Sequence, residues 1–221
     1  MAALDLRTEV LDEAAASGCE AILVHHPPIF SGLDSVTDRP GAEGLILRAA
    51  ELQIAVIAAH TNLDSARGGL NEMMAEQLGM TGCEPLEPNA DDATLGLGRI
   101  GAVAETSLRG LAEIARSAFP GGQVRRVGDL DQMVTRVACC TGSGGSLIEA
   151  AAAAGADCYV TSDLKYHDAD RAPGLALVDL PHGVVEGQLM RRWAERELGT
   201  RLLLDGVEVR VAEFDTNPWQ V

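Results

Sequence analysis

The sequence predicts an α/β layered sandwich, and three observations carry that prediction. Short apolar runs of strand type alternate with helical periodicities of about ten to twelve residues, the pattern of helices packed on a sheet. Aromatic residues are only 3% of a chain that is 47% hydrophobic, so its core must be built from Leu, Val, Ile and Ala. Polar residues gather just after the predicted strands, where sheets of this class carry their sites. With 221 residues the chain can bury one large core or two modest ones.

Taken in order, Leu6 to Ser17 reads as a helix, with Leu6, Val10, Leu11 and Ala14 or Ala15 on one face and Gly18 as its stop. "EAILV" at 20–24 is a short buried strand. "GLILRAAELQ" at 44–53 is a helix, and "IAVIAA" at 54–59 a strand. The next helix is 69–79, with Leu70, Met73, Met74 and Leu78 inward. Residues 81–92, "TGCEPLEPNADD", lack periodicity and read as a junction. Beyond it, strands are predicted at 96–104, 123–128, 133–140, 158–162, 175–180 and 207–213, and helices at 107–119, 146–155 and 183–198. "TGSGGS" at 141–146 suits a tight strand-to-helix turn, since it lacks the lysine of a P-loop and the spacing of a dinucleotide-binding loop.

A formal net charge of −16 argues against nonspecific nucleic-acid binding, which needs a positive surface. The five cysteines are odd in number and form no CxxC pair, so they read as reduced thiols of a cytoplasmic chain. Cys139 and Cys140 are expected to pack at the end of a buried strand. The start carries no secretory-type segment, and no strongly apolar window is long enough for a membrane span. A serine-hydrolase GxSxG is absent.

Four clusters hold all five histidines, each just after a predicted strand: "HHPP" at 25–28, "HTNLD" at 60–64, "DLKYHD" at 163–168 and "HGVVE" at 182–186. Core packing does not ask for such a pattern. A single histidine at a strand end is ordinarily a hydrogen-bonded surface residue, and Asp64 could equally cap a helix. His182 and Glu186 are four apart at a helix start and share a face. His60 and Asp64 have the same separation, but "TNLD" reads as a loop. His25 and His26 would point to opposite faces of an extended chain, and Pro27 restricts His26 to extended geometry. Their convergence requires a turn beginning at His25, or two ions, one to each ring. A binuclear centre meets the second condition, with carboxylates bridging two divalent cations about 3.5–4 Å apart.

In combination, "LVHHPPIF", "AAHTNLDSARGGLNEMMAEQLG", "YVTSDLKYHDA", "HGVVE" and "FDTNPW" resemble the GTP cyclohydrolase type two homologues, also called NGG-interacting-factor-three-like proteins, from about residue 3 to 218. That resemblance implies two divalent ions held by His25, His26, Asp64, His182 and Glu186, with His60 and His167 lining the cavity. It implies a two-domain protein in which a second α/β domain, 91–172, is inserted between the parts 1–90 and 173–221 of a metal-binding domain. It also implies a ring-like homohexamer. Pro181 replaces the family's usual Gly before the late His, and "TSD" at 161–163 stands for "TGD". The first strand looks incomplete against the family's, so either the native start lies upstream of Met1 or this version is less stable in its first domain.

The expected function is hydrolysis at a dinuclear centre, on a nucleotide or related phosphorylated or heterocyclic small molecule. Asp64 and Glu186 are the expected catalytic carboxylates, and His60 the expected proton-transfer group. Lys165, Tyr166 and His167 are the candidate substrate contacts. The imidazole and carboxylate donors suit Zn, Fe, Mn, Co or Ni. The alternative is a non-enzymatic role in metal storage or delivery, or as a regulatory interaction protein.

Overall fold

The computed structural model of the chain describes residues 1–219. In chain order the elements are β1 (Ala2–Ala3), α1 (Thr8–Ala16), β2 (Ala21–Val24), α2 (Ala42–Glu51), β3 (Ala55–Ala58), α3 (Thr61–Ser65), α4 (Leu70–Gln77), β4 (Thr81–Pro88), β5 (Gly96–Ser107), α5 (Leu108–Ala118), β6 (Arg125–Val127), β7 (Met133–Ser143), α6 (Ile148–Ala153), β8 (Cys158–Ser162), β9 (Ala176–Leu180), α7 (His182–Trp193) and α8 (Gly199–Leu203). They form two compact units, one of Met1–Leu63 with Met190–Pro218, the other built on Asp64–Leu189.

The first unit holds a three-stranded parallel sheet in the order β1-β2-β3, with Ala2 opposite Leu23 and Ala21 opposite Ala55. Parallel neighbours need a crossover, and the sequence supplies α1 and α2 for it. Helix α1 buries Val10, Leu11 and Ala14 at the predicted spacing and packs them on Ile22 and Val24 of β2. Gly18, at φ +68°, lets the chain reverse, and the Cys19 N–H then reaches back to the Ala14 carbonyl at 2.9 Å.

The second unit holds a six-stranded mixed sheet in the order β4-β5-β7-β8-β9-β6. β8 and β9 are buried along their whole length, as inner parallel strands covered on both faces must be. One face packs Ile100, Cys140, Ile148, Tyr159 and Leu177 into a single apolar cluster. Helix α4 is tied to β5 by the buried Arg99, which donates to Glu72 at 3.0 Å and to the carbonyls of Gly96 and Gly98. Helix α5 starts at Ser107, whose hydroxyl accepts from the Gly110 N–H at 3.1 Å. Ser107→Ala is expected to lower the unfolding free energy by about 1 kcal/mol in a urea titration, and an unchanged midpoint would count against this cap.

Three elements depart from the sequence reading. Residues 81–88 form β4 rather than a junction, and the prolines misled because β4 is an edge strand, where Pro85 and Pro88 need not break a ladder on both sides. "TNLD" is the helix α3, not a loop. The alternating stretch 207–213 makes one bridge, Val211 to Ala2, since its partner β1 is two residues long. In addition, β7 continues through "TGS" to Ser143 before the chain turns.

Candidate metal centre

In the first unit, β2 ends at Val24 and the backbone turns at once. The N–H groups of His25 and His26 both donate to the Leu4 carbonyl, at 3.1 and 3.0 Å. Because of this turn the two rings do not diverge as they would along an extended strand. Their centroids lie 5.2 Å apart, and His60, just after β3, lies 5.2 Å from His25 and 5.7 Å from His26. One ring nitrogen of each residue lies within 4.8 Å of those of the other two, close enough for a shared cation.

Two of these rings are oriented from behind. His25, fully buried, donates from Nδ1 to the Ala59 carbonyl at 2.8 Å. A carbonyl only accepts, so Nδ1 carries the proton and the neutral ring presents its Nε2 lone pair. His26 Nδ1 donates to Asp5 Oδ1 at 2.8 Å, while Asp5 Oδ2 accepts from the Thr216 hydroxyl at 2.7 Å. Burial pushes the Asp5 carboxyl up, but the hydrogen bonds from His26 and Thr216 outweigh it and hold the group below the usual carboxylate range. A histidine backed in this way by a carboxylate or carbonyl is the usual arrangement of an imidazole metal ligand.

The second unit gathers the carboxylates. Asp64, on α3, is buried and accepts from the Thr141 hydroxyl at 3.0 Å. Asn71, fully buried on α4, closes the loop: its amide donates to the Asp64 carbonyl at 3.1 Å and its oxygen accepts from the Thr141 N–H at 2.8 Å. Glu186, 2% exposed, lies one helical turn after His182, and its Oε2 accepts from His182 Nε2 at 2.7 Å. His182 Nδ1 donates to Asp163 Oδ2, also at 2.7 Å. Burial alone would lower the His182 pKa, but the flanking Glu186 and Asp163 raise it to about 9. Asp163 sits at φ +57°, a backbone state uncommon outside glycine that a short polar side chain tolerates.

"TGSGG" therefore lines the carboxylate side instead of only making a turn. Thr141 faces Asp64, and Gly142, at φ +66°, runs so close that an added Cβ would lie 2.6 Å from Glu186 Oε1. Cys139 and Cys140 are buried behind this segment, and burial pushes the Cys140 thiol up to about 12, which leaves it inert.

The candidate substrate contacts divide. Lys165 and Tyr166 line a cavity of about 350 Å³ beside β6 and β9. His167 is not in that lining; its ring packs edge-on against Tyr166 at 5.1 Å. The sequence reading missed Asp5, Asn71, Thr141, Asp163 and Thr216 as partners of site residues. For Thr216 the "FDTNPW" motif was a signal without an assigned role, and Asp163 lay inside a flagged cluster. Asp5 and Asn71 had no local mark.

Comparison with known proteins gives a consistent result. A family model described as Duf34/NIF3 (NGG1p interacting factor 3) matches residues 1–218. The chain is 35% identical to a Lactococcus lactis protein named GTP cyclohydrolase 1 type 2 homolog, covering 98% of this chain and 82% of that one. It is 32% identical to the Streptococcus pneumoniae protein of the same name, with 99% and 84% covered. Among solved structures, a Bacillus cereus protein related to NIF3 superposes with a TM-score of 0.90 at 25% identity, over 100% of this chain and 88% of its own. A Staphylococcus aureus protein gives 0.91 at 27% identity, over 100% and 86%.

Proposed function

Because the chain belongs to the Duf34/NIF3 family, we propose that it is a divalent-metal-dependent hydrolase with a dinuclear centre, acting on a nucleotide or a related phosphorylated or heterocyclic compound. The residues that would hold the ions are His25, His26, Asp64, His182 and Glu186. The donor set fits such ions, since it offers imidazole nitrogens and carboxylate oxygens and no thiolate. The observation that carries the reading is that His25 and His26 stand side by side with each ring held from Nδ1, so that Nε2 is the atom that would meet an ion.

When bound, two divalent ions supply Lewis acidity that polarises an electrophile and lowers the pKa of water toward neutrality. The protein's own part is to orient and to move protons. Asp5 and the Ala59 carbonyl fix the tautomers of His26 and His25, and Asp163 fixes the ring of His182. Thr141 donates to the Asp64 carboxylate and Asn71 to the Asp64 main-chain carbonyl, so both hold this residue in place before anything binds. His60 is the group proposed to carry a proton to or from the reacting atoms, since imidazole titrates near neutrality. The reading includes a cytoplasmic homohexamer; among the described residues no helix is long and apolar enough to cross a membrane.

The test is metal analysis of the purified protein, followed by a hydrolase screen with each reconstituted metal. Asp64→Asn is expected to remove turnover while the oligomer elutes unchanged on size exclusion. Replete protein that turns over nothing across a broad panel of nucleotides and phosphoesters would replace this reading with that of a metal-holding scaffold.

A further inference from the structure

The cavity of about 350 Å³ in the second unit lies over the outer edge of the six-stranded sheet, where β6 pairs with β9. Its floor is apolar, with Leu177 and Val127 opposite each other in register. Its wall is the segment 164–170. That segment is clamped to the sheet by one carboxylate: Asp179, 8% exposed, accepts from the Leu164 N–H at 2.9 Å and from Arg125 Nε at 2.7 Å. Arg125 donates a second time, from one Nη to the Leu164 carbonyl at 2.8 Å. The Asp179 charge is thereby matched, and among the described residues the other Nη of Arg125 shows no partner.

Two further side chains at the cavity face it largely exposed or without an ion pair. Lys165 forms no ion pair among the described residues, and the ring of Tyr166 is 86% exposed although it is large and aromatic. A cation beside an exposed aromatic face, over an apolar floor, is the chemistry that accepts a planar ring bearing an anionic group. The volume is in the range of small-molecule pockets, at about 300–1,000 Å³. In a chain of net charge −16, a cavity lined by Arg125, Arg126 and Lys165 against Asp170 and Asp179 is a place where an anion can approach. Asp170, also in the lining, supplies an acceptor for amino or hydroxyl donors.

We propose that this cavity binds a phosphorylated planar heterocycle of mononucleotide size, with its phosphate between Lys165 and Arg125 and its ring on Tyr166. The same segment runs directly from Asp163, which holds His182, so the wall that receives the ligand also carries the holder of a proposed metal ligand. That the bound compound is the substrate rests on the hydrolase reading; that it binds does not.

The experiment is calorimetric titration of chelator-treated full-length protein with adenosine and guanosine monophosphate, with the matching nucleosides and inorganic phosphate as separate arms. At least one monophosphate is expected to bind, and Lys165→Ala and Tyr166→Ala each to weaken it about tenfold, while Asp64→Asn leaves it unchanged. Nucleoside and phosphate alone are expected to bind more weakly than the intact nucleotide. Absence of binding by every probe, or binding that survives both cavity variants, overturns the proposal. So does binding lost in Asp64→Asn but kept in Lys165→Ala. If the metal-replete enzyme hydrolyses nothing yet the titrations behave as expected, the hydrolase reading fails and the cavity assignment stands.

Discussion

Asp5→Ala is expected to weaken divalent-ion binding about 10- to 100-fold while leaving the fold intact. The carboxylate of Asp5 does two things for His26. It accepts a hydrogen bond from Nδ1 at 2.8 Å, which would leave Nε2 to bind an ion in the proposed centre, and its charge raises the basicity of that ring. Thr216 completes the arrangement by donating to the other oxygen. Asp5→Asn retains an acceptor for Nδ1 but loses the charge, so its affinity should fall between those of wild type and Asp5→Ala. Competition against a chromogenic chelator measures the series. Equal affinity for zinc in all three proteins would remove Asp5 from the account of the site.

Gly142→Ala is expected to disturb the carboxylate side by displacing Glu186. At φ +66° an L-residue costs about 1–2 kcal/mol in backbone strain. The new Cβ would in addition lie 2.6 Å from Glu186 Oε1, so the carboxylate must leave its present position. Gly155→Ala is the control, since Gly155 has φ +74° with nothing within 4 Å of the added atom. Both variants should lose the backbone contribution in a denaturant titration. Only Gly142→Ala should lose more than this and bind metal more weakly. Identical stability losses and unchanged metal binding in the pair would show that the approach of Gly142 to Glu186 is of no consequence.

Much of the fold is legible in the sequence because burial leaves a period. Val10, Leu11 and Ala14 mark α1 by spacing, and the unbroken apolar runs at 158–160 and 175–178 mark inner strands. What escapes are elements whose identity is decided by neighbours. β4 contains the residues of a loop and is a strand because β5 pairs with it, while 207–213 alternates like a strand and lacks a partner long enough to make it one. The site divides the same way. Its histidines and the pair His182 and Glu186 stand out by residue type and spacing. Asn71 and Asp5 do not, since an asparagine in a helix and an aspartate in a loop are ordinary until the fold brings Thr141 or His26 to them. The "HHPP" step is intermediate: the sequence leaves a turn at His25 or one ion to each ring as alternatives, and the Leu4 carbonyl, which accepts from both N–H groups, marks the turn.

The hydrogen bond between Thr216 and Asp5 spans 211 positions of the chain. A ribosome delivers Asp5 and His26 long before it delivers Thr216. Throughout that interval Asp5 can accept from His26 but lacks the Thr216 hydroxyl that holds its second oxygen. A chain shortened to stop before Thr216 is therefore expected to hold the Asp5 carboxylate, and through it the ring of His26, less firmly than a chain that includes it.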